Sequence, residues 1–225
     1  MSDRVKLVLL FLCSITILFL VDTAYEGLNT LSRLSVVEAE RDQWQRPSDI
    51  LQALDLRPGN IVVDLGCGSG YFTLKLSAPV GQRGKVLAED IRGLPLIFLW
   101  LRTLQKGEHN VNLLLGEADD PRLPVQGVNA VLIVNSYHEF TNSRAILNHV
   151  VRSLVSGGRL VVVDRGTHAS GAGSTDSERE HHQVSPEQVE SELRREGFEI
   201  ISRQERFIEN DPSNNEWWLI IARKP

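Results

Sequence analysis

The sequence predicts an α/β fold: a mostly parallel seven-stranded sheet with helices on both faces, preceded by an N-terminal hydrophobic helix. Three observations predict it. Short apolar runs recur along the chain, helical stretches alternate with them, and a glycine-rich segment follows the first run. Strands that alternate with helices pair in parallel through right-handed crossovers. With 225 residues, the chain is long enough for one full-sized domain and an additional segment.

The first 22 residues are the most apolar part of the chain. No charged residue occurs from Leu7 to Val21, and Arg4 and Lys6 precede this run. About 15 helical residues span roughly 22 Å, less than the ~30 Å hydrocarbon core of a bilayer, unless flanking residues join them. Residues 1–22 are therefore predicted to be a membrane anchor or a signal segment. The expected localisation is a single-pass membrane protein held through residues 5–22, with a secreted or periplasmic protein as the alternative after cleavage.

Two further segments follow. Residues 23–45 are predicted to form a stalk or lid helix, because Leu28, Leu31 and Leu34 recur at helical spacing. Residues 46–225 are predicted to form the main domain.

Strands and helices alternate through the main domain. Strands are predicted at 61–65, 86–88, 111–115, 130–134, 160–163, 198–203 and 216–222. Helices are predicted at 47–54, 71–78, 94–104, 143–154 and 186–196. Within the helix predicted at 94–104, residues 94–101 are apolar on all sides, so another element covers them or they contact lipid or an apolar substrate.

Composition limits the partners and cofactors. The net charge is −5 and no long run of Lys or Arg occurs, so nucleic acid is not an expected partner. Cys13 and Cys67 do not form a metal-binding framework, and His168, His181 and His182 lack ligand spacing. No metal site is predicted.

The glycine-rich segment Asp64-Leu65-Gly66-Cys67-Gly68-Ser69-Gly70 lies between a predicted strand and a predicted helix. At this place the free backbone N–H groups of a helix N-terminus meet a polar ligand group. The glycine spacing differs from the dinucleotide pattern G-x-G-x-x-G, and no Lys-Ser or Lys-Thr follows to complete a phosphate loop. The segment therefore predicts a cofactor-binding loop, and its glycine spacing argues against a cofactor that is bound through a pyrophosphate.

Residues 62–70, Val-Val-Asp-Leu-Gly-Cys-Gly-Ser-Gly, resemble the first motif of Rossmann-like S-adenosylmethionine-dependent methyltransferases, and the resemblance extends from about Trp44 to Pro225. It implies S-adenosylmethionine as the cofactor and methyl transfer as the reaction. It also implies that the loop, with Gly66, Cys67, Gly68 and Gly70, lies against the methionine part of the cofactor. Asp64 would help to hold the amino group of that part.

The same resemblance implies further cofactor contacts. A carboxylate at the end of the second strand takes the ribose hydroxyls, and it is Asp90 or, alternatively, Glu89. Glu117 or Asp119 would accept from the adenine amino group. Asn135, at the end of the fourth strand, is the remaining candidate for cofactor binding.

His138 is the candidate catalytic residue, because an imidazole near neutral pKa can take a proton from an attacking hydroxyl or amine. The expected function is a membrane-tethered methyltransferase acting on a small-molecule, lipid-like or protein acceptor. The alternatives are a non-catalytic assembly protein at a membrane and an NAD-dependent oxidoreductase. The sequence leaves the oligomeric state open.

Overall fold

The computed structural model describes residues 3–166 and 183–225, and the chain divides into two units, Met1–Arg41 and Asp42–Pro225. The first unit consists of most of helix α1, Asp3–Trp44, which is 42 residues long. The histidines His168, His181 and His182 lie outside the described residues.

Helix α1 is one continuous helix through both predicted N-terminal segments. The helix continues without a break from the apolar residues before position 22 through Asp22 and Glu26 to Trp44. Within the part of the chain that the structure describes, no helix is long and apolar enough to cross a membrane. The prediction of a single-pass membrane protein held through residues 5–22 is therefore wrong, and a membrane partner bound through this segment is not supported.

The second unit is built on one sheet, which has seven strands among the described residues, in the order β3-β2-β1-β4-β5-β7-β6. The strands are β1 (Ile61–Leu65), β2 (Lys85–Asp90), β3 (Val111–Leu115), β4 (Val128–Val134), β5 (Leu154–Arg165), β6 (Glu199–Ile208) and β7 (Trp217–Arg223). The first five pair in parallel, whereas β7 runs antiparallel to β5 and β6. The predicted mostly parallel sheet is confirmed.

The helices of this unit are α2 (Pro47–Ala53), α3 (Tyr71–Val80), α4 (Gly93–Lys106), α5 (Ser143–Ser153) and α6 (Pro186–Arg195). A 3₁₀ turn, Tyr137–Glu139, follows β4. Strand β5 begins earlier than expected, at Leu154, because Gly157 and Gly158 interrupt the apolar run from which the strand was predicted.

Alternation along β1 shows how the sheet is covered on both faces. Val63 and Leu65 pack in the cluster that contains Leu147 of α5 and Leu193 of α6. Val62 packs in the cluster that contains residues of α2 and α3. Because successive side chains of a strand point to opposite faces, one buried strand supports both helical layers.

Residues 94–101 of helix α4 are apolar, and protein covers them only in part. Leu96 and Leu99 are buried beside Cys67 and Ala88. The opposite face leaves large apolar side chains exposed: Leu94, Ile97, Trp100 and Leu104. Since single exposed apolar residues are ordinary but contiguous ones are not, this face is a candidate contact surface.

Candidate active site

The glycine loop is fixed to the end of β2. The N–H groups of Gly66 and Cys67 both donate to the carbonyl of Glu89, at 2.9 and 2.8 Å, and the N–H of Gly70 donates to the carbonyl of Cys67 at 3.0 Å. Helix α3 begins directly after Gly70. The loop therefore joins the carboxyl ends of two neighbouring parallel strands to a helix N-terminus, where ligands bind in open α/β sheets.

Two of the loop glycines are required for packing. A Cβ on Gly66 would lie 2.6 Å from Ser136 Oγ, and a Cβ on Gly70 would overlap Leu99 of α4. Gly68 differs: it has φ 54°, and no described atom lies within 4 Å of the place where its Cβ would be. Gly68 thus marks the side of the loop at which a ligand can approach the backbone.

Asp90 holds the loop in place. This carboxylate is 3% exposed; its Oδ2 accepts from Gly68 N at 2.9 Å, and its Oδ1 accepts from Arg92 N at 2.8 Å and from Arg92 Nε at 3.2 Å. The structure thus brings Asp90 to the loop, as expected for the ribose anchor. Nothing in the sequence indicated that Asp90 also fixes the conformation of Gly68.

Glu89 is a second buried carboxyl group at the same strand end. It is 3% exposed, and its Oε2 lies 3.4 Å from Gly66 N, which donates to it weakly. Burial, reinforced by the negative charges of Asp90 and Asp64, raises the pKa of Glu89 from 4.5 to about 7, although the hydrogen bond from Gly66 opposes this. Glu89 therefore keeps its proton well above the pH at which an exposed glutamate loses it.

Asp64 lies on β1 beside these groups. It is 3% exposed and its Oδ2 accepts from Thr73 Oγ1 of α3 at 2.6 Å. Burial, followed by the charges of Asp64, Asp90 and Glu89, raises the pKa of the Cys67 thiol far above its usual range. The Cys67 thiol therefore stays protonated, and it lines the site without acting as a nucleophile.

The two adenine candidates lie outside this buried cluster. Glu117 and Asp119 are exposed in the turn that follows β3, and Glu117 forms a surface ion pair with Arg122. Gly116, just before them, packs against the Glu89 carboxyl group. The adenine role of Glu117 or Asp119 stays a prediction.

The end of β4 faces the loop. Ser136 Oγ donates to the carbonyl of Leu65 at 3.2 Å and is the neighbour of Gly66 noted above. Asn135 has φ 55° and its N–H donates to the carbonyl of Val163 at 2.8 Å. Its buried Oδ1 has no hydrogen-bond partner among the described residues. A buried acceptor without a partner is costly, so Asn135 fits a site completed by a ligand donor.

The His138 ring is hydrogen-bonded to Asp164, a residue that was not predicted from the sequence. Its Nδ1 lies 2.8 Å from Asp164 Oδ1, and its backbone N–H donates to Asp164 Oδ2 at 3.2 Å. The His138 side chain is 2% exposed and that of Asp164 0%. Asp164 could have been noticed as a carboxylate directly after the predicted strand 160–163, but its partner lies 26 residues away.

The strand order and the loop after β1 are those of the class I S-adenosylmethionine-dependent methyltransferases. A methyltransferase from Aquifex aeolicus has the same fold, with a TM-score of 0.68 and 21% identity, covering 85% of this chain and 97% of that one. A phosphoethanolamine N-methyltransferase from Haemonchus contortus, solved with S-adenosylmethionine, has a TM-score of 0.67 and 16% identity, covering 81% of this chain and 53% of that one.

The model of the ubiE/COQ5 methyltransferase family matches residues 16–172, and the chain belongs to this family. A ubiquinone/menaquinone biosynthesis C-methyltransferase from Ectopseudomonas mendocina is 31% identical over 122 residues, which is 54% of this chain and 47% of that protein. The chain thus spans about half the length of the curated relatives it matches. The predicted family and its cofactor, S-adenosylmethionine, are confirmed, and the oxidoreductase alternative is not supported.

The residues at the loop fit that cofactor. S-adenosylmethionine has a protonated amino group and two ribose hydroxyls, and these donors suit the buried carboxyl groups of Asp64, Glu89 and Asp90. Asn135 Oδ1, which has no hydrogen-bond partner among the described residues, offers a further acceptor, and the open space at Gly68 allows close approach of the ligand to the backbone.

Proposed function

We propose that this chain binds S-adenosylmethionine over the glycine loop and transfers its methyl group to a carbon atom of a small acceptor. The observation that carries the proposal is the cluster of buried carboxyl groups of Asp64, Glu89 and Asp90 around a loop that is open at Gly68. Such a concentration of buried acid is costly in the free protein, and a cationic ligand rich in donors offsets that cost.

The chemistry of the cofactor is simple: its sulfonium carries the methyl group in activated form. The chain has to bind the cofactor, orient the acceptor and exclude water. Asp90 would bind the ribose hydroxyls and give up part of its bonding to Arg92, while Gly68 stays attached to the other oxygen. Glu89 would ionise or share its proton as the donor groups arrive.

The acceptor is proposed from two lines of support. The matched relatives are C-methyltransferases of ubiquinone and menaquinone biosynthesis, which favours a carbon atom of a quinone precursor. Ile91, the residue after Asp90, is exposed, and so are Leu94 and Ile97 in the first half of α4. An acceptor with an apolar substituent would find a matching surface beside the cofactor loop.

Isothermal titration of the full chain with S-adenosylmethionine, S-adenosylhomocysteine and NAD tests the proposal. We expect binding of both S-adenosyl ligands and not of NAD. Asp90→Ala should weaken binding by about 1–3 kcal/mol, roughly 5- to 150-fold, because buried hydroxyls lose their acceptor. Asp49→Ala, which removes an exposed carboxylate paired with Arg46, is the matched control and should bind normally.

Two results would contradict this proposal. A folded chain that binds neither S-adenosyl ligand would remove the cofactor site. Binding without transfer of labelled methyl to a reduced prenylated naphthoquinone, or to lipid, quinone and protein extracts, would instead favour the non-catalytic alternative. An unchanged affinity in Asp90→Ala would move the ribose role to Glu89.

A further inference from the structure

We infer that Arg165 binds a carboxylate group of the acceptor, which makes the acceptor of this chain an aromatic carboxylic acid. This inference rests on the proposed function, because it concerns the acceptor of the same site. Two observations carry it: a buried guanidinium N–H without a hydrogen-bond partner among the described residues, and a pair of tryptophan rings at the same strand end.

Arg165 is the last residue of β5, and its side chain is only partly exposed. Its Nε is buried, and no described residue accepts a hydrogen bond from it. A donor of a charged group that is removed from water and left without an acceptor costs free energy, so folded proteins contain few of them. A ligand oxygen that accepts from this Nε would remove the cost.

The neighbouring carboxylate, Asp164, is bonded to other groups. Successive side chains of a strand point to opposite faces, and Val163 packs in the cluster that contains residues of α2 and α3. Arg165 therefore shares the face of Val163, whereas Asp164 points to the other face. There Asp164 bonds the ring and the backbone N–H of His138, and it accepts from the backbone N–H of Arg165 at 2.8 Å. Asp164 thus does not pair with the guanidinium.

Two tryptophans provide an aromatic surface beside Arg165. Trp217 lies directly opposite Arg165 in the antiparallel pair of β5 and β7, so the two side chains lie on the same face of the sheet. The centroids of the Trp217 and Trp44 rings are 6.0 Å apart. Trp217 is buried and its Nε1 donates to Asp211, whereas Trp44 is partly exposed. An aromatic ring of a ligand can therefore pack against Trp44 next to the guanidinium.

The strand ends place Arg165 beside the cofactor loop. Strands β4 and β5 are parallel neighbours, and the Asn135 N–H donates to the Val163 carbonyl at 2.8 Å. Asn135 Oδ1 likewise has no partner in the described part of the chain. Adjacent strand ends thus leave one acceptor and one donor unused, at the edge of the sheet where open α/β folds bind ligands. Arg165 also shares its face with α3, the helix that follows the glycine loop.

The charges around this strand end favour a carboxylate over a phosphate. The planar guanidinium presents its N–H groups as a fork that fits the two oxygens of a carboxylate. Gly166, the next residue, lines a small cavity together with three charged residues: Glu205, Arg206 and Glu216. With Asp164 these make the surroundings negative, so a group with one negative charge binds here at a lower electrostatic cost than a group with two.

Isothermal titration of the full chain with 2-naphthoate and 2-naphthamide, each with and without S-adenosylhomocysteine, tests the inference. The two probes have nearly the same shape, and only the carboxylate carries a charge. We expect wild type to bind the carboxylate about tenfold more tightly than the amide, or better, because hydrogen bonds to charged groups are the stronger ones. Arg165→Gln should reduce this preference to about twofold or less, and Arg165→Lys, which keeps the charge but lacks the fork, should retain part of it.

Arg223→Gln is the matched control. Arg223 lies at the other end of the same strand pair, opposite Arg159, and pairs with the exposed Glu199. This variant should keep the wild-type preference for the carboxylate. Circular dichroism checks that each variant is folded.

The Arg165 Nε–H signal in ¹H–¹⁵N spectra of the labelled wild-type chain gives a readout that does not depend on the folding of Arg165→Gln. The signal is assigned by its loss in Arg165→Lys, and it should shift downfield when 2-naphthoate is added. A wild-type chain without preference for the carboxylate, an unshifted Nε–H signal, or a folded Arg165→Gln variant that keeps the preference would each overturn the inference. A chain that prefers the carboxylate through Arg165 but does not bind S-adenosylhomocysteine would instead refute the proposed function.

Discussion

Replacing Glu89 by Gln should make the free protein more stable at neutral pH. Glu89 is 3% exposed, and burial beside Asp90 and Asp64 raises its pKa from 4.5 to about 7. Between these two pH values the folded chain keeps a proton at Glu89 that the unfolded chain has released. The free energy of unfolding therefore falls as pH rises from about 4.5 to about 7.

The magnitude follows from the two pKa values. Each pH unit of difference corresponds to about 1.4 kcal/mol, so the contribution of Glu89 to this fall is up to about 3 kcal/mol. A glutamine side chain at this position cannot ionise, and its amide oxygen can still accept from Gly66 N. The free energy of unfolding of Glu89→Gln should therefore exceed that of wild type by up to about 3 kcal/mol above about pH 7, and by little below about pH 4.5. Relaxation of the loop in the wild-type protein would make this difference smaller.

Urea unfolding followed by tryptophan fluorescence, at several values between about pH 4.5 and about pH 8, measures this difference. Other carboxyl groups titrate in both proteins, so the difference between wild type and variant isolates Glu89. Glu199→Gln, which removes an exposed glutamate paired with Arg223, is the control and should show no comparable trend. If the difference in free energy of unfolding between Glu89→Gln and wild type does not grow with pH, the assignment of a raised pKa to Glu89 is refuted.

Further predictions concern packing around the loop and the 3₁₀ turn. Gly70→Ala should lower stability by about 2–4 kcal/mol, since its Cβ would overlap the buried Leu99, whereas Gly68→Ala should cost only about 1–2 kcal/mol of backbone strain while weakening cofactor binding. Urea unfolding and calorimetric titration of both variants distinguish the two effects, and equal stabilities would contradict the packing argument. Tyr137→Phe removes the 2.6 Å hydrogen bond to Glu192 of α6 and should lower the free energy of unfolding by about 1–2 kcal/mol. Thermal unfolding checks this, and an unchanged Tm would mean that water replaces the bond.

Several features could be predicted from the sequence because their signals are local. The alternation of short apolar runs with helical stretches predicted a seven-stranded sheet, and the glycine spacing after Asp64 located the cofactor loop. The position of Asp90, about 20 residues beyond that loop, predicted a carboxylate at the end of β2. In each case the relevant residues follow one another along the chain.

The apolar N-terminal run shows how a local signal can mislead. The absence of charge from Leu7 to Val21 favoured an anchor, yet the helix that contains it extends 42 residues to Trp44, and no described helix qualifies as a membrane span. Hydropathy within a window records composition and not where a helix ends.

Only the tertiary structure revealed the pairing of His138 with Asp164 and the raised pKa of Glu89. The pair forms because β4 and β5 are parallel neighbours whose carboxyl ends meet, although the two residues are 26 positions apart. Glu89 and Asp90 are adjacent in sequence, but only their burial and their contacts with Gly66 and Gly68 give them different roles. Sequence periodicity determines which elements form, whereas register and burial decide which side chains meet and which of them keep their charge.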